Sequence, residues 1–564
     1  MSFLTLHADA EFSSKLPEKS PVASLFRKNE SASLTKRDSD ENKDFKRGFV
    51  LKTLYLVGSK NSLSKLASQR DGIYFSDLFV PGYEDSLSEV VSPYMGESLN
   101  SQDIVDLKRD IILYYRSQNY PLVTVQIPEQ DVTQGTLGVL IIPSTLGEIC
   151  VKGNKHFSSS QYLDPIRLQN GQRINEKVLL NDLNFLNRNT FRRADLIYSP
   201  GNDLYTTNIE ILARDEYPLN VYAGVDNTGL AHTDRIRWFS GFTWGNVFNL
   251  AHTFSFQYTA APQVHKFYAF TLNYTAPLSI QHVLRVYGGY SHVKIHLPFE
   301  SKTKGQSYQA SIRYDIPFTP SPSVLHEFLL GFDFKRSNNN VEFVEDFPLI
   351  AQQVNLTQFL AGYNLGYEKG CHKLGFDLQA IASPFTWLPD QSSDDFKGLN
   401  PFAKHTYFYA RSSLNYKVRM PMEFVGNFRF AGQVSAESLV PSEQFPLGGY
   451  STVRGYTERQ LNSDNGILLS GEIQSPKIGV FKRYCEKGRD AVEFLVFMDF
   501  GYGGNWHHLP GGRESDYLWS VGPGMRYAFR SYFSARLDWG VKLHRRDDFG
   551  GGNSMVHFSV IGSF

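Results

Sequence analysis

At 564 residues the chain is too long for one ordinary soluble domain and points to two or three. Its 57 Lys and Arg balance 57 Asp and Glu, so nothing argues for a nucleic-acid partner. Aromatics make up 14%, yet mean hydropathy is negative and no run of about 18 apolar residues occurs, which excludes a helical membrane protein.

High aromatic content without long apolar runs is what a transmembrane β-barrel requires. Only alternate residues meet lipid, and aromatic girdles sit at both interfaces; a soluble all-β protein is the alternative. Cys150, Cys371 and Cys485 are far apart and odd in number, implying neither a disulfide framework nor a zinc site. His507-His508, in a Gly-rich loop, reads as solvated rather than metal-binding. With no nucleophile arrangement and no phosphate loop, the expectation is a non-enzyme with no cofactor.

In residues 1–48, Ser2-Phe-Leu-Thr-Leu6 followed by Ala8-Asp-Ala10 reads as the end of an apolar region and an A-x-A cleavage site. The expectation is a residual signal peptide behind a start codon assigned too far downstream; a chance match is the alternative. Residues 11–48 mix Ser, Lys, Glu, Asp and Asn and read as a linker that cannot bury enough surface to fold alone.

Residues 49–146 form a first α/β domain. Val50–Val57 reads as a strand, and 101–118 as a helix capped by Asn100 with Ile104, Leu107 and Ile111 on one face. Val123–Ile127 and Leu137–Ile142 are strands around Gln134-Gly135. Residues 147–215 repeat the texture: strand Ile149–Gly153, helix Asn175–Arg188 with Leu179, Leu183 and Leu186 on one side, and a hairpin from Ala194–Tyr198 and Thr207–Ala213. From pattern alone each is a generic α+β adaptor whose strand edges can bind an extended peptide.

Residues 216–564 alternate with period two and contain no credible helix. Phe254, Phe256 and Tyr258 alternate with Ser255, Gln257 and Thr259, and Ala310, Ile312 and Tyr314 with Ser311, Arg313 and Asp315. Sixteen strands are expected: 219–226, 233–244, 251–260, 265–276, 281–294, 306–316, 323–335, 353–367, 371–381, 403–416, 421–434, 465–475, 491–502, 516–529, 532–543 and 553–564. Connections after odd-numbered strands include long ones at 336–352, 382–402 and 435–464. Those after even-numbered strands are mostly tight, the outer-membrane pattern, with 476–490 as the exception.

The sixth outer loop carries Phe445-Pro-Leu-Gly-Gly-Tyr-Ser-Thr-Val-Arg-Gly-Tyr456. Gly448, Gly449 and Gly455 allow positive φ and close packing, so the loop can fold back into a confined space with Arg454 as its charged tip. Downstream, Asp499 interrupts the apolar run Phe494–Met498 within Phe497-Met-Asp-Phe-Gly501, where a carboxylate needs water or a cation nearby.

Val453-Arg-Gly-Tyr456 followed by Phe497-x-Asp-x-Gly501 resembles the outer-membrane protein-transport superfamily, within it the two-partner secretion transporters (TpsB, ShlB/FhaC/HecB-like). The resemblance runs from about Val50 to Phe564. It implies a mainly β fold: a 16-stranded antiparallel barrel preceded by two POTRA (polypeptide-transport-associated) domains. Gln118-Asn-Tyr-Pro and Ile127–Gly135 look like the first POTRA, with 59–84 a longer insertion than expected, and Leu183-Asn-Phe-Leu-Asn187 is similar to the second. It further implies that Arg454 reaches into the barrel and pairs with Asp499 on the inner wall, and that a plug helix precedes the linker, though no convincing amphipathic helix is seen there.

The implied partners are an unfolded secreted client, expected to be a large β-helical exoprotein received by the POTRA modules and passed to the cell surface, and outer-membrane lipid. The barrel assembly machinery is a third, through the C-terminal aromatic signal at Phe564. An assembly factor of the same superfamily remains an alternative, although it would usually carry more POTRA copies. A passive porin would explain the barrel but neither residues 49–215 nor the loop.

Overall fold

The computed structural model describes residues 48–564 except 64–70, 297–301, 320, 322, 338–353, 481–489, 509–512 and 546–551, and the chain divides into two compact units at Glu216/Tyr217. The expected signal remnant, linker and plug helix, along with Cys485, lie outside the described residues.

The first unit holds two modules. In the first, β1 (Phe49–Val50) leads to β2 (Thr53–Val57), helix α1 (Lys60–Leu63), β3 (Gly72–Ser76), α2 (Glu84–Val91) and β4 (Ser98–Leu99). Then come α3 (Ser101–Ser117), β5 (Val123–Gln126) and β6 (Thr136–Pro143). The main sheet has the order β3-β2-β6-β5, with β2 parallel to both neighbours. Asn100 caps α3 by accepting from Gln102 N–H (2.7 Å) and Asp103 N–H (3.1 Å), while Asp103 accepts from Asn100 N–H (2.8 Å). Leu107, Ile111 and Tyr115 from α3 bury against Leu54, Leu56, Leu137 and Val139. Within the 59–84 stretch, the described residues 72–76 join the sheet: β3 runs parallel along β2, with Tyr74 stacked on Tyr55. Five residues flanked by polar ones gave too short a pattern to reveal it.

The second module contains β7 (Thr145–Lys152), α4 (Ser159–Leu163), α5 (Glu176–Leu186), β8 (Arg192–Pro200) and β9 (Thr206–Asp215), with sheet order β7-β9-β8. Asn187 explains part of its motif. Its side chain accepts from Ala194 N–H (2.7 Å) and donates to Ala194 C=O (3.1 Å), tying the end of α5 to β8. The modules are joined by Glu176 N–H donating to Asn119 C=O (2.9 Å) and by the Arg173 guanidinium over the Phe79 ring (4.3 Å).

In the second unit, sixteen strands among the described residues close a barrel. They are β10 (Leu219–Asp226), β11 (Arg237–Val247), β12 (His252–Ala260), β13 (Phe267–Pro277), β14 (Val283–His296), β15 (Lys302–Pro317), β16 (Val324–Ser337) and β17 (Val354–Lys369), followed by β18 (His372–Ser383), β19 (Tyr407–Arg419) and β20 (Val425–Ser435). A loop hairpin, β21 (Phe445–Leu447) and β22 (Leu461–Ser463), precedes β23 (Asn465–Gln474), β24 (Asp490–Gly504), β25 (Ser515–Phe529), β26 (Phe533–Lys542) and β27 (Ser554–Ser563). Every neighbouring pair is antiparallel, and β27 pairs with β10 to remove the edges. Alternation sets the faces: Phe242 sits opposite Phe256 in an aromatic pair, while next to them Thr243 and Ser255 share a hydrogen bond (3.1 Å).

The barrel half does contain a helix, contrary to the sequence reading. α5 is followed in chain order by α6 (Ser393–Leu399), in the fifth outer loop, closed by a capping box between Ser392 and Asp395. Two turns of Asp, Lys and Gly are too short for helical periodicity to register. The expected strand start at 421 also shifts: Pro421–Glu423 form a 3-10 turn and β20 begins at Val425.

Candidate functional site

A strand's period of two explains the pattern around Asp499. On β24, Leu495, Phe497, Asp499, Gly501 and Gly503 are buried and face inward, while Phe494, Val496, Met498 and Tyr502 are exposed on the outer face. Phe497, Asp499 and Gly501 therefore line one ridge of the inner wall.

The loop between β20 and β23 folds onto that ridge. Phe445, Leu447, Val453 and Tyr456 bury against Ala431, Leu468 and Leu518. Gly448, Gly449 and Gly455 have φ of 101°, 106° and 93°, the left-handed region that favours glycine. At Gly455 the contact with the wall is also close, since a Cβ there would lie 2.8 Å from the carbonyl oxygen of Gly540 on β26. Gly501 clears space in the same way, because a Cβ on it would meet Leu447 at 2.8 Å and Val453 at 2.9 Å.

Arg454 makes the central contact. Its Nε donates to Asp499 Oδ2 (2.7 Å), its Nη2 to Oδ1 (2.8 Å) and its backbone N–H to Oδ2 (3.1 Å). The guanidinium lies over the Phe497 ring, with Cζ 3.6 Å from the centroid. Nη1 donates to Glu472 on β23. On either side, Gly455 N–H donates to His557 Nε2 (3.0 Å), and the Tyr456 hydroxyl donates to His544 C=O and accepts from Trp519 N–H (3.2 Å). Each position of the two motifs thus has a physical task in one contact. Phe564 lies elsewhere: its backbone pairs with Val221 at the β27–β10 seam and its side chain is 84% exposed.

The family model for haemolysin secretion/activation proteins (ShlB/FhaC/HecB) matches residues 206–527, and that for ShlB-type POTRA domains matches 81–144. The chain belongs to the haemolysin secretion/activation family. This ShlB/FhaC/HecB-type chain is an outer-membrane transporter with periplasmic POTRA domains. It is 23% identical over 463 residues to the heme/hemopexin transporter protein HuxB of Haemophilus influenzae, covering 79% of this chain and 78% of that protein. To the hemolysin transporter protein HpmB of Proteus mirabilis it is 22% identical, covering 72% of each. In fold it is similar to CdiB from Escherichia coli, with a TM-score of 0.75, 16% identity and coverage of 94% of this chain and 93% of that one.

In this transporter the acidic wall is wider than sequence reasoning foresaw. Asp538 on β26 lies 3.8 Å from Arg454 Nη1 and is itself held by Arg526 (2.7 Å) and Arg536 (2.6 Å). Asp499, Glu472 and Asp538 therefore face three guanidiniums, which compensates the charge of a buried cluster. Arg536 also donates to Tyr450 C=O (3.1 Å), and Arg429 donates to Ser451 C=O (2.7 Å), fixing the loop backbone ahead of the tip. The available signal was Arg536-Leu-Asp538, charges at alternate strand positions, which a solvent-facing strand would share.

Two loop glutamates were also missed, and they are pushed in opposite directions. Burial acts on both. For Glu443 it is overcome by the Lys335 ammonium and the Arg411 guanidinium, which hold the carboxyl down at about 2. For Glu458 burial dominates and pushes the carboxyl up to about 8, despite the Tyr450 N–H that donates to it and the more distant Arg459 and Arg536.

Proposed function

We propose that this transporter receives an unfolded secreted partner at its POTRA modules and passes it through the barrel to the cell surface, with the inward loop, fixed by Arg454 on Asp499, shaping the path. The observation that carries this reading is the buried Arg454–Asp499 contact inside a barrel whose facing inner wall, on β14 to β19, is polar. Tyr287, Gln309, Arg313, Gln379 and Arg411 line a cavity there. Sixteen strands enclose a lumen wide enough for an extended chain. β3 and β5 are the two terminal strands of the first sheet, and the edge of β5 is the one proposed to dock an extended client by strand addition.

The named relatives are a heme/hemopexin transporter protein and a hemolysin transporter protein, and a large β-helical exoprotein is the client class proposed here. Transport rather than catalysis is the proposed role, driven by the client folding outside, and the exposed Phe564 is the proposed mark read by the barrel assembly machinery. The test is co-expression with a secreted protein encoded beside the transporter. Client at the cell surface that is lost in Arg454→Ala, with the barrel still inserted, supports the reading; full secretion without the POTRA modules defeats it.

A further inference from the structure

The inward loop is held at a second place, and the polarity there is reversed. Glu443, on the arm leading to the tip, is 0% exposed. Both its carboxylate oxygens accept from Lys335 Nζ on β16 at 3.0 Å, and one also accepts from Gln358 Nε2 on β17 (2.8 Å) and from the Tyr409 hydroxyl on β19 (2.7 Å). Its backbone carbonyl accepts from Arg411 on β19 (2.8 Å) and Gln433 on β20 (3.2 Å). Four strands thus converge on one loop residue. Without it, Lys335 would face the lumen with no carboxylate bonded to it.

The segment just before Glu443 carries the fifth outer loop. Leu439 and Val440 pack with Phe396 and Leu399 of α6, Asn400 Nδ2 donates to Leu439 C=O (2.8 Å), and Lys404 pairs with Glu437 (3.0 Å). Gln358 Nε2 bridges the two sides, donating to Glu443 and to the Tyr407 hydroxyl (2.7 Å) where that loop enters β19.

We propose that Glu443 is a positioning residue for secretion: an anchor opposite in charge to Arg454 that fixes the entering arm of the inward loop on the Lys335 side of the wall. Through Leu439 and Val440 it also keeps the 384–406 loop seated over that side of the barrel. This deepens the transport reading and rests on it for the role in secretion, but the coupling between the loops does not depend on any client.

The experiment is surface proteolysis of intact cells with trypsin, aimed at Lys397 and Lys404, alongside secretion of the partner and heat-modifiability of the barrel. Glu443→Ala is expected to raise cleavage in the 384–406 loop by about tenfold, as a buried charge site loses its partner. Arg454→Ala is expected to leave that cleavage unchanged while abolishing secretion. Glu443→Gln, which keeps the size but removes the charge and turns one acceptor oxygen into a donating NH2, is the milder variant should alanine prevent folding. Lys335→Glu should expose the loop, and adding Glu443→Lys should recover protection only in part, since an ammonium at 443 cannot accept from Gln358 Nε2 or the Tyr409 hydroxyl. Unchanged protection in Glu443→Ala or Glu443→Gln with a folded barrel overturns the proposal, as does equal exposure in Arg454→Ala. Cleavage is read without a client, so loss of the transport reading alone leaves this outcome intact.

Discussion

The backbone N–H and the guanidinium fork of Arg454 land on the same carboxylate, that of Asp499, so one wall residue fixes both the path of the loop and the direction of its longest side chain. A side-chain contact alone would let the loop slide; a backbone contact alone would leave a buried carboxylate without its charge partner.

Removing either partner should therefore impair secretion with the barrel still inserted, but unequally. Asp499→Ala leaves Arg454 bonded to Glu472, whereas Arg454→Ala leaves Asp499 with the backbone N–H at 454 and the Ser470 hydroxyl on its carboxylate but without the guanidinium. Breaking a buried pair costs about 3–5 kcal/mol, and Arg454→Ala is expected to be the more severe. Arg454→Lys should rescue only partly, since an ammonium cannot lie flat over Phe497 while meeting both oxygens. Quantifying client at the cell surface for the three variants checks the order.

The close approach of Gly455 to Gly540 predicts a steric phenotype without any charge change. Gly540→Ala should push the loop tip off β26 and reduce secretion, with strand content by circular dichroism unchanged. Gly501→Ala should be milder, because the atoms it meets belong to the movable side chains of Leu447 and Val453. Equal effects of the two would place the constraint elsewhere.

Glu458 predicts a pH dependence. Its carboxyl stays neutral in the folded loop up to about 8, whereas the unfolded chain loses the proton near 4.3. Between those values the unfolded state binds fewer protons, so this group's contribution to stability falls as pH rises, by at most about 1.4 kcal/mol per pH unit, and levels off above about 8. Glu458→Gln should remove that part of the slope. Urea denaturation from pH 5 to 9, compared between wild type and variant, reads the difference.

In the POTRA unit, Asn100→Ala removes the acceptor of two amides at the start of α3. The expected cost is about 1 kcal/mol, visible as faster hydrogen exchange in the first turn of Ser101–Ser117 with secretion little changed.

The barrel was legible because membrane crossing forces alternation on every strand; Phe254–Tyr258 and Ala310–Tyr314 carry it openly. The loop contact was legible because its motifs are compact: three residues of Phe497–Gly501 share one face, and Val453–Tyr456 are consecutive. Glu443 was not legible. It sits in Pro-Ser-Glu-Gln, which reads as solvated loop, and its cation lies on β16, more than a hundred residues away in sequence. Glu472 and Asp538 were hidden for a related reason, since a charge facing a lumen and one facing bulk water leave the same alternating mark. β3 and α6 were missed because five and seven residues are too few to show a period.

The most direct test is a double-mutant cycle of Arg454→Ala and Asp499→Ala on the rate at which client reaches the cell surface, with pore conductance in planar bilayers confirming an intact barrel. If the two residues act as one anchor, the double variant should be little worse than Arg454→Ala alone. Single effects that multiply in the double variant would contradict the pairing and, with it, the role assigned to the inward loop.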